Sequence, residues 1–145
     1  MPLERTVQCV ERIGVDGSVV TPVDAKALRE SLVDLKRQGP EAVTISLLNA
    51  YKNDENEREV ARIVREELGP DVDIVCSAAV LPELGEYERT VTAAANAVVR
   101  PVIKRYLHGL EKILEPDMRI LRILKSDGGL ASVGLAQELP VNLLM

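Results

Sequence analysis

The stretch EYERTVTAAANAVVRPVIKRYLHGLEKIL, residues 86–114, predicts one long helix. Apolar residues return along it at helical spacing, and they are Val91, Ala95, Val98, Val102 and Tyr106. A second set widens this stripe, and it comprises Ala94, Val99, Ile103, Leu107, Leu110 and Leu114. We therefore expect the helix to be covered on much of its surface. Pro101 removes a backbone hydrogen bond to Ala97, which predicts a kink or a division into two helices.

Strand and helix signals alternate before and after this helix. Strand-like residues 5–13 and 18–21 flank Asp16-Gly17, a strong signal for a two-residue hairpin turn. Thr21 can cap a helix that has Pro22 at its first position, and Asn53 can cap a second helix that begins near Asp54. A short helix is expected after Ser132.

Apolar runs between these helices predict strands that are buried on both faces, and they cover residues 42–48, 72–76 and 119–124. A last apolar segment lies at 141–144. This order with short connections predicts an α/β fold, in which a mostly parallel sheet is flanked by helices. The core is then a βαβαβ unit preceded by a hairpin.

Length and composition limit the classes of function. A chain of 145 residues predicts a single domain over 1–145. The absence of Phe and Trp argues against stacking on bases or sugars, and the net charge of −5 argues against a nucleic-acid partner. No apolar run approaches the roughly 18 residues that a membrane span requires. Cys9 and Cys76 are expected to be buried, unreactive thiols in a reducing cytoplasm, with a disulfide or a reactive thiol as the alternatives.

The acidic residues at the start of the long helix have two interpretations. Glu86, with Glu83 and Glu88, can bind Mg²⁺ or act as a general base, or it can interact favourably with the helix macrodipole. Arg89 can bind a phosphate or a carboxylate, or it can form an ordinary i,i+3 pair with Glu86.

Further candidate ligand-binding residues lie on the long helix and after the predicted strands. Asn96 is expected on a partly apolar face, where its amide needs either backbone partners or a ligand. The turn Ser126-Asp127-Gly128-Gly129 and Tyr51 follow strands at the sheet edge where ligands bind in open α/β folds, although a plain turn explains the glycines equally well. Asp127 would repel phosphate but could hold Mg²⁺.

The sequence indicates no catalytic residue and no metal site. His108 lacks a Cys, a His or an acid at ligand spacing and is expected on the surface. No nucleophile motif is present either.

Several motifs resemble, in the same order, those of the hydantoinase A/5-oxoprolinase family. The motif-bearing segments are 11–17, Thr21-Pro22, 42–53, 82–90, 96–102, 126–129 and 140–144. The segment PELGEYERT at 82–90 is similar to the LPE-EYERT stretch of that family. Asn49 and Asn56 stand where the family usually has His, and Asp54, Val98 and Asp127 are further departures.

The resemblance implies that the chain is a fragment of a larger subunit with an actin/sugar-kinase/Hsp70-like ATPase architecture. Such a subunit would use ATP and Mg²⁺ to open a cyclic amide or imide, with a hydantoinase B-type subunit or the rest of its own chain as partner. The family's two glycine-rich phosphate turns are absent, so no cofactor is expected for this chain alone. The apolar end Leu143-Leu144-Met145 is also expected to mark a truncation. The alternative is a non-catalytic α/β module that binds a partner subunit or a small anion.

Overall fold

The computed structural model describes residues 3–114 and 120–143. Within it the chain forms two compact units, Met1–Ala94 and Ala95–Met145. The single domain expected over 1–145 stays a prediction. Arg119 and Leu144, the outer ends of two predicted strands, lie outside the described residues.

The first unit begins with the predicted hairpin. β1 (Arg12–Ile13) pairs antiparallel with β2 (Val19–Thr21). Asp16 Oδ1 closes the turn by accepting hydrogen bonds from Ser18 N at 3.0 Å and Ser18 Oγ at 2.7 Å. The first strand is shorter than the predicted residues 5–13, because a 3₁₀ helix (Leu3–Arg5) precedes it and pairing starts only at Arg12.

A βαβ element forms the centre of the first unit. β3 (Ala42–Ile45) and β4 (Asp73–Cys76) are parallel neighbours, and α2 (Glu55–Leu68) connects them. α1 (Ala25–Arg37) packs beside α2. Their aliphatic side chains form one core cluster, which contains Leu28, Leu32, Leu35, Ile45, Val60, Ile63 and Val64. The predicted α/β class is confirmed.

Helix α1 begins three residues later than Thr21-Pro22 predicted. Thr21 stays in β2, paired with Arg12, and therefore cannot open the helix. Asp24 is the cap instead, since its Oδ1 accepts a hydrogen bond from Ala27 N at 3.0 Å. At α2 the cap position is Asp54, one residue after the predicted Asn53, although Asn53 Oδ1 accepts a hydrogen bond from Glu55 N at 3.0 Å.

The chain after β4 forms a short helix, α3 (Ser77–Val80), and then the long helix α4 (Glu86–Leu114). α4 is continuous through Pro101, so the predicted division into two helices is wrong. The prediction that the first stripe is covered is also wrong: Val98 is 76% exposed, and Val102 and Tyr106 are each 63% exposed. In the second unit α4 packs instead through the other apolar set, with Leu107 buried and Ile103 beside it.

The remainder of the second unit is a hairpin followed by two short helices. β5 (Arg122–Leu124) pairs antiparallel with β6 (Leu130–Ser132), α5 (Val133–Glu138) is capped by Ser132 as predicted, and a 3₁₀ helix (Pro140–Leu143) follows. The prediction of a third parallel strand at 119–124 is wrong, since β5 pairs antiparallel with β6. The chain reverses between these two strands, where Gly128 has φ 83°. The predicted strand at 141–144 is helical up to Leu143.

Replacement of Asp24 tests the observed start of α1. Asp24→Ala removes the acceptor for Ala27 N and should lower the free energy of unfolding by about 1 kcal/mol. Thr21→Val, which removes the hydroxyl of the residue that the sequence predicted as the cap, should leave it nearly unchanged. Urea unfolding followed by circular dichroism measures both, and a larger loss for Thr21→Val would contradict the assignment.

Candidate functional site

Three fully buried polar side chains meet in the first unit at the C-terminal ends of β3 and β4. They are Glu57 from α2, Ser77 from α3 and Arg89 from α4, and each is 0% exposed. Ser77 Oγ lies 2.6 Å from Glu57 Oε1 and 2.9 Å from Arg89 Nε. The serine hydroxyl therefore connects a buried anion to a buried cation.

The guanidinium of Arg89 is committed to backbone groups of the same unit. It donates to Leu47 O at 2.6 Å and to Glu83 O at 3.2 Å, in addition to Ser77. Glu86 Oε1, its expected i,i+3 partner, is farther away at 3.9 Å. Arg89 therefore holds protein groups together and has no solvent-facing surface with which to bind a ligand.

The carboxylate of Glu57 accepts hydrogen bonds from three donors. Oε1 accepts from Ser77 Oγ and from Leu47 N at 3.0 Å, and Oε2 accepts from Ala78 N at 2.9 Å. Burial raises the pKa of this carboxyl, whereas the three donors and the charge of Arg89 oppose that rise. Both oxygens face N–H groups, which fits the ionised form.

Glu57 and Ser77 were not singled out by the sequence reasoning. An acid in the first turn of a helix is usually explained by its favourable interaction with the helix macrodipole. That explanation gave no reason to expect the Glu57 side chain to be buried. The helical spacing could have revealed that Glu57 is buried. Glu57 lies three residues before Val60 and seven before Val64, so it is on the apolar face of α2. An acid on a buried helix face requires donors and a nearby cation.

The accessible part of this site is the segment after β3, residues 46–51, here called the edge segment. Its Tyr51 is half-buried, and the Arg89 guanidinium lies 6.0 Å from the Tyr51 ring centroid. Asn49 N donates to Glu86 Oε1 at 3.4 Å, and Ser46 Oγ lies 2.6 Å from Thr90 Oγ1. The structure therefore brings Tyr51, Glu86 and Arg89 together, with Tyr51 and Glu86 partly accessible.

The two asparagines that replace the family's usual histidines bind neighbouring segments. Asn49 Nδ2 donates to Ile13 O at 2.9 Å. Asn56 Nδ2 donates to Glu11 Oε2 at 2.7 Å and to Thr21 O at 3.3 Å. Both amides hold the N-terminal part of the first unit in place.

Asn96 lies in the second unit, where backbone groups satisfy its amide. Its Nδ2 donates to Glu138 O at 3.0 Å, and its Oδ1 accepts from Val141 N at 3.2 Å. Of the two alternatives that the sequence left open, these contacts favour the backbone role. Asn96 fixes the link between α5 and the 3₁₀ helix that follows it.

N–H groups of the Ser126–Gly129 turn are hydrogen-bonded to acceptors within the second unit. Gly129 N donates to Asp127 Oδ1 at 2.8 Å, and Ser126 N donates to Asn142 O at 3.4 Å. Lys125 Nζ lies 2.7 Å from Asp127 Oδ2 and, as the largest cause, lowers the pKa of that carboxyl. An ionised Asp127 and committed amides do not form a phosphate cradle.

The other residues considered as sites have ordinary surroundings. His108 is exposed, as predicted. Cys9 and Cys76 are half-buried, and burial raises the pKa of the Cys9 thiol. Within residues 3–114 and 120–143 no group of three or more His, Cys, Asp or Glu could hold a metal ion. In those same ranges no helix is long and apolar enough to cross a bilayer.

Truncation of Asn96 should destabilise the second unit. Asn96→Ala leaves the buried Val141 N without an acceptor, which should lower the free energy of unfolding by about 1–3 kcal/mol in urea titrations. His108→Ala, an exposed change on the same helix, serves as the control and should stay within about 0.5 kcal/mol of wild type. Equal decreases in the free energy of unfolding for both variants would show that the Asn96 amide contributes nothing to stability.

The pH dependence of stability should reveal the buried Glu57. An acid whose pKa is raised by folding binds its proton more tightly in the folded chain, so its contribution to stability falls as pH rises from about 4.5 through the folded pKa. The stability difference between wild type and Glu57→Gln should therefore decline over that window, as measured by urea unfolding at successive pH values.

Glu59 on the same helix provides a control of opposite sign. Its hydrogen bond with Arg62 lowers the pKa of the Glu59 carboxyl, so the stability difference between wild type and Glu59→Gln should be lost as pH falls. A difference curve for Glu57→Gln that rises with pH, like the one for Glu59→Gln, would contradict the burial argument.

Two family models match the sequence. A model described as the hydantoinase/oxoprolinase N-terminal region matches residues 1–68, and one described as hydantoinase/oxoprolinase matches residues 89–145. Caprolactamase subunit alpha of Pseudomonas jessenii is 33% identical over 133 residues, which are 90% of this chain and 19% of that protein. 5-Oxoprolinase 1 of Arabidopsis thaliana is 32% identical over 123 residues, covering 81% of this chain and 10% of that protein.

Solved structures agree with the sequence matches. The crystal structure of the ATP-dependent caprolactamase from Pseudomonas jessenii superposes with a TM-score of 0.81 at 28% identity, over 97% of this chain and 21% of that one. A nucleotide-free acetone carboxylase structure gives a TM-score of 0.82 at 29% identity, over 93% and 20%. The chain thus spans about a fifth of the length of these proteins. Its two matched segments and its shared fold show that it belongs to the hydantoinase/oxoprolinase family.

Proposed function

We propose that this chain forms part of an ATP-dependent, cytoplasmic subunit that opens a cyclic amide, and that it is inactive by itself. The observation that supports this most is the superposition on the caprolactamase structure over 97% of the chain. A family likeness of this extent favours a shared role more strongly than any one motif does. The partner is the remainder of such a subunit or a hydantoinase B-type subunit.

The part of this chain that would face a ligand is the edge segment. It follows a parallel strand, and the C-terminal ends of parallel strands are where α/β folds bind ligands. Tyr51 offers a ring and a phenolic hydroxyl there, and the Glu86 side chain, which is 40% exposed, offers a carboxylate. These two groups form one wall of the proposed cleft, and Arg89 supports them from behind.

The turn at Ser126–Gly129 is poorly suited to bind a phosphate. Its Gly128 and Gly129 amides donate to Lys125 O and Asp127 Oδ1, and the ionised Asp127 would repel a phosphate group. Nucleotide chemistry in the intact protein therefore has to be supplied by residues other than those of this turn.

An exposed apolar helix face favours a second candidate function, that of a non-catalytic module bound to a partner subunit. Val98, Val102, Tyr106 and Ile113 of α4 are each between 63% and 76% exposed and lie at helical spacing. An apolar stripe of this length commonly marks a protein interface. This candidate and the first differ in whether the edge segment affects catalysis.

A chimera tests the first candidate. The matching fifth of the Pseudomonas jessenii caprolactamase alpha subunit is replaced by this chain, and ATP-dependent caprolactam hydrolysis is measured. We expect measurable activity, and Tyr51→Ala in the chimera should reduce kcat/KM by about tenfold or more if the edge segment lines the cleft. His108→Ala, an exposed change on α4 outside the apolar face, is the control and should leave kcat unchanged.

Isothermal titration of the isolated chain with Mg·ATP completes the test. We expect no binding by a sample that circular dichroism shows to be folded. Micromolar binding would contradict the assignment of the nucleotide site to other residues. An active chimera that is indifferent to Tyr51→Ala would favour the non-catalytic module.

A further inference from the structure

We propose that Glu57 and Ser77 are positioning residues that hold the edge segment in one conformation, acting together with Arg89. This inference rests on the proposed function only in that the edge segment is taken to face a ligand. The arrangement itself is a property of the first unit.

Leu47, the second residue after β3, is held at both of its backbone polar groups. Its N–H donates to Glu57 Oε1 at 3.0 Å, and its C=O accepts from Arg89 at 2.6 Å. Two side chains of opposite charge, from two different helices, therefore bind the two polar groups of a single peptide residue. The charged side chains of Glu57 and Arg89 thus provide the hydrogen bonds that backbone groups of an adjacent strand would provide within a sheet.

Ser77 makes the arrangement unique. A guanidinium has no acceptor, so Arg89 Nε must donate to Ser77 Oγ, and the single hydroxyl proton of Ser77 is left to donate to Glu57. The direction of each hydrogen bond is thus fixed from Arg89 through Ser77 to Glu57. An alternative orientation of the serine hydroxyl would remove one of the three donors to the buried Glu57 carboxylate.

Leu47 is also the first residue of the turn that contains Tyr51. Ala50 N donates to Leu47 O at 3.4 Å, and Lys52 N donates to Asn49 O at 2.9 Å. The same carbonyl of Leu47 therefore serves both Arg89 and the turn. If Glu57 or Ser77 is removed, Leu47 should move more freely, and the turn with Tyr51 should move with it.

Amide hydrogen exchange on the isolated chain, followed by NMR, tests this proposal without any ligand. In Ser77→Ala the amides of Leu47, Ala50 and Lys52 should exchange about tenfold faster or more, whereas those of Leu32 and Leu35 in α1 should keep their wild-type rates. Arg89→Lys keeps the charge but loses the fork of donors, and it should give the same local pattern. Ser77→Thr restores the hydroxyl and should return the rates toward wild type.

Ser31→Ala is the matched control, since Ser31 on α1 also donates a hydroxyl hydrogen bond, to Ala27 O at 3.0 Å, but lies outside this network. It should leave exchange in the edge segment unchanged. The proposal is overturned if Ser77→Ala leaves the three amides at their wild-type rates. It is also overturned if edge and core amides accelerate by the same factor, because that result would show a general loss of stability.

A wild-type measurement covers the case in which the variants do not fold. The amide protons of Leu47 and Ala78 both bind Glu57, so their chemical shifts should move together with one midpoint as pH changes. Independent or absent titration would overturn the proposal. None of these results depends on nucleotide or on the chimera, so a failure here is distinct from a failure of the proposed function.

Discussion

A buried carboxylate and a buried guanidinium have to remain connected for the first unit to keep its structure. Glu57 and Arg89 are both inaccessible to solvent, and Ser77 lies between them. Leaving a buried polar group without its hydrogen-bond partner commonly costs about 1–3 kcal/mol, and more for a charged group, out of the roughly 5–15 kcal/mol that stabilises a whole domain. The backbone after β3, the start of α3 and the start of α4 all bind to this network. Local order at the end of the sheet therefore depends on a polar network as well as on apolar packing.

In the second unit an uncharged side chain, that of Asn96, also holds backbone groups through buried hydrogen bonds. Asn96 binds one backbone acceptor and one backbone donor, Glu138 O and Val141 N, across the end of α5. Arg100 and Lys104 lie within 3.1 Å and 2.9 Å of the Glu138 carboxylate. The polar residues that attracted attention on α4 are therefore occupied largely in supporting backbone.

Local patterns in the sequence predicted the hairpin at Asp16-Gly17, the two parallel strands and the presence of α1 and α2. They could not decide between the two apolar sets on α4, because both repeat at helical spacing and only tertiary contacts select the set around Leu107. The antiparallel pairing of β5 was also missed, since a Gly-Gly turn is compatible with either a crossover or a reversal. Tyr51, Glu86 and Arg89 were candidates from the sequence, and the structure places them near one another; their role toward a ligand stays a prediction. Glu57 was overlooked because its position at a helix start already had a sufficient explanation.

The backbone of Asn49 bears on how this family can vary at the edge segment. Asn49 has φ 58°, the only positive value among the non-glycine residues that the structure describes. Side chains rarely adopt this left-handed region, and Asn, Asp and His do so several times more often than others. The sequence resemblance places a histidine at this position, and histidine and asparagine both belong to this small group of tolerated residues. A change between the two should therefore preserve the turn while it adds or removes an imidazole, so the proton chemistry available here can change without altering the backbone.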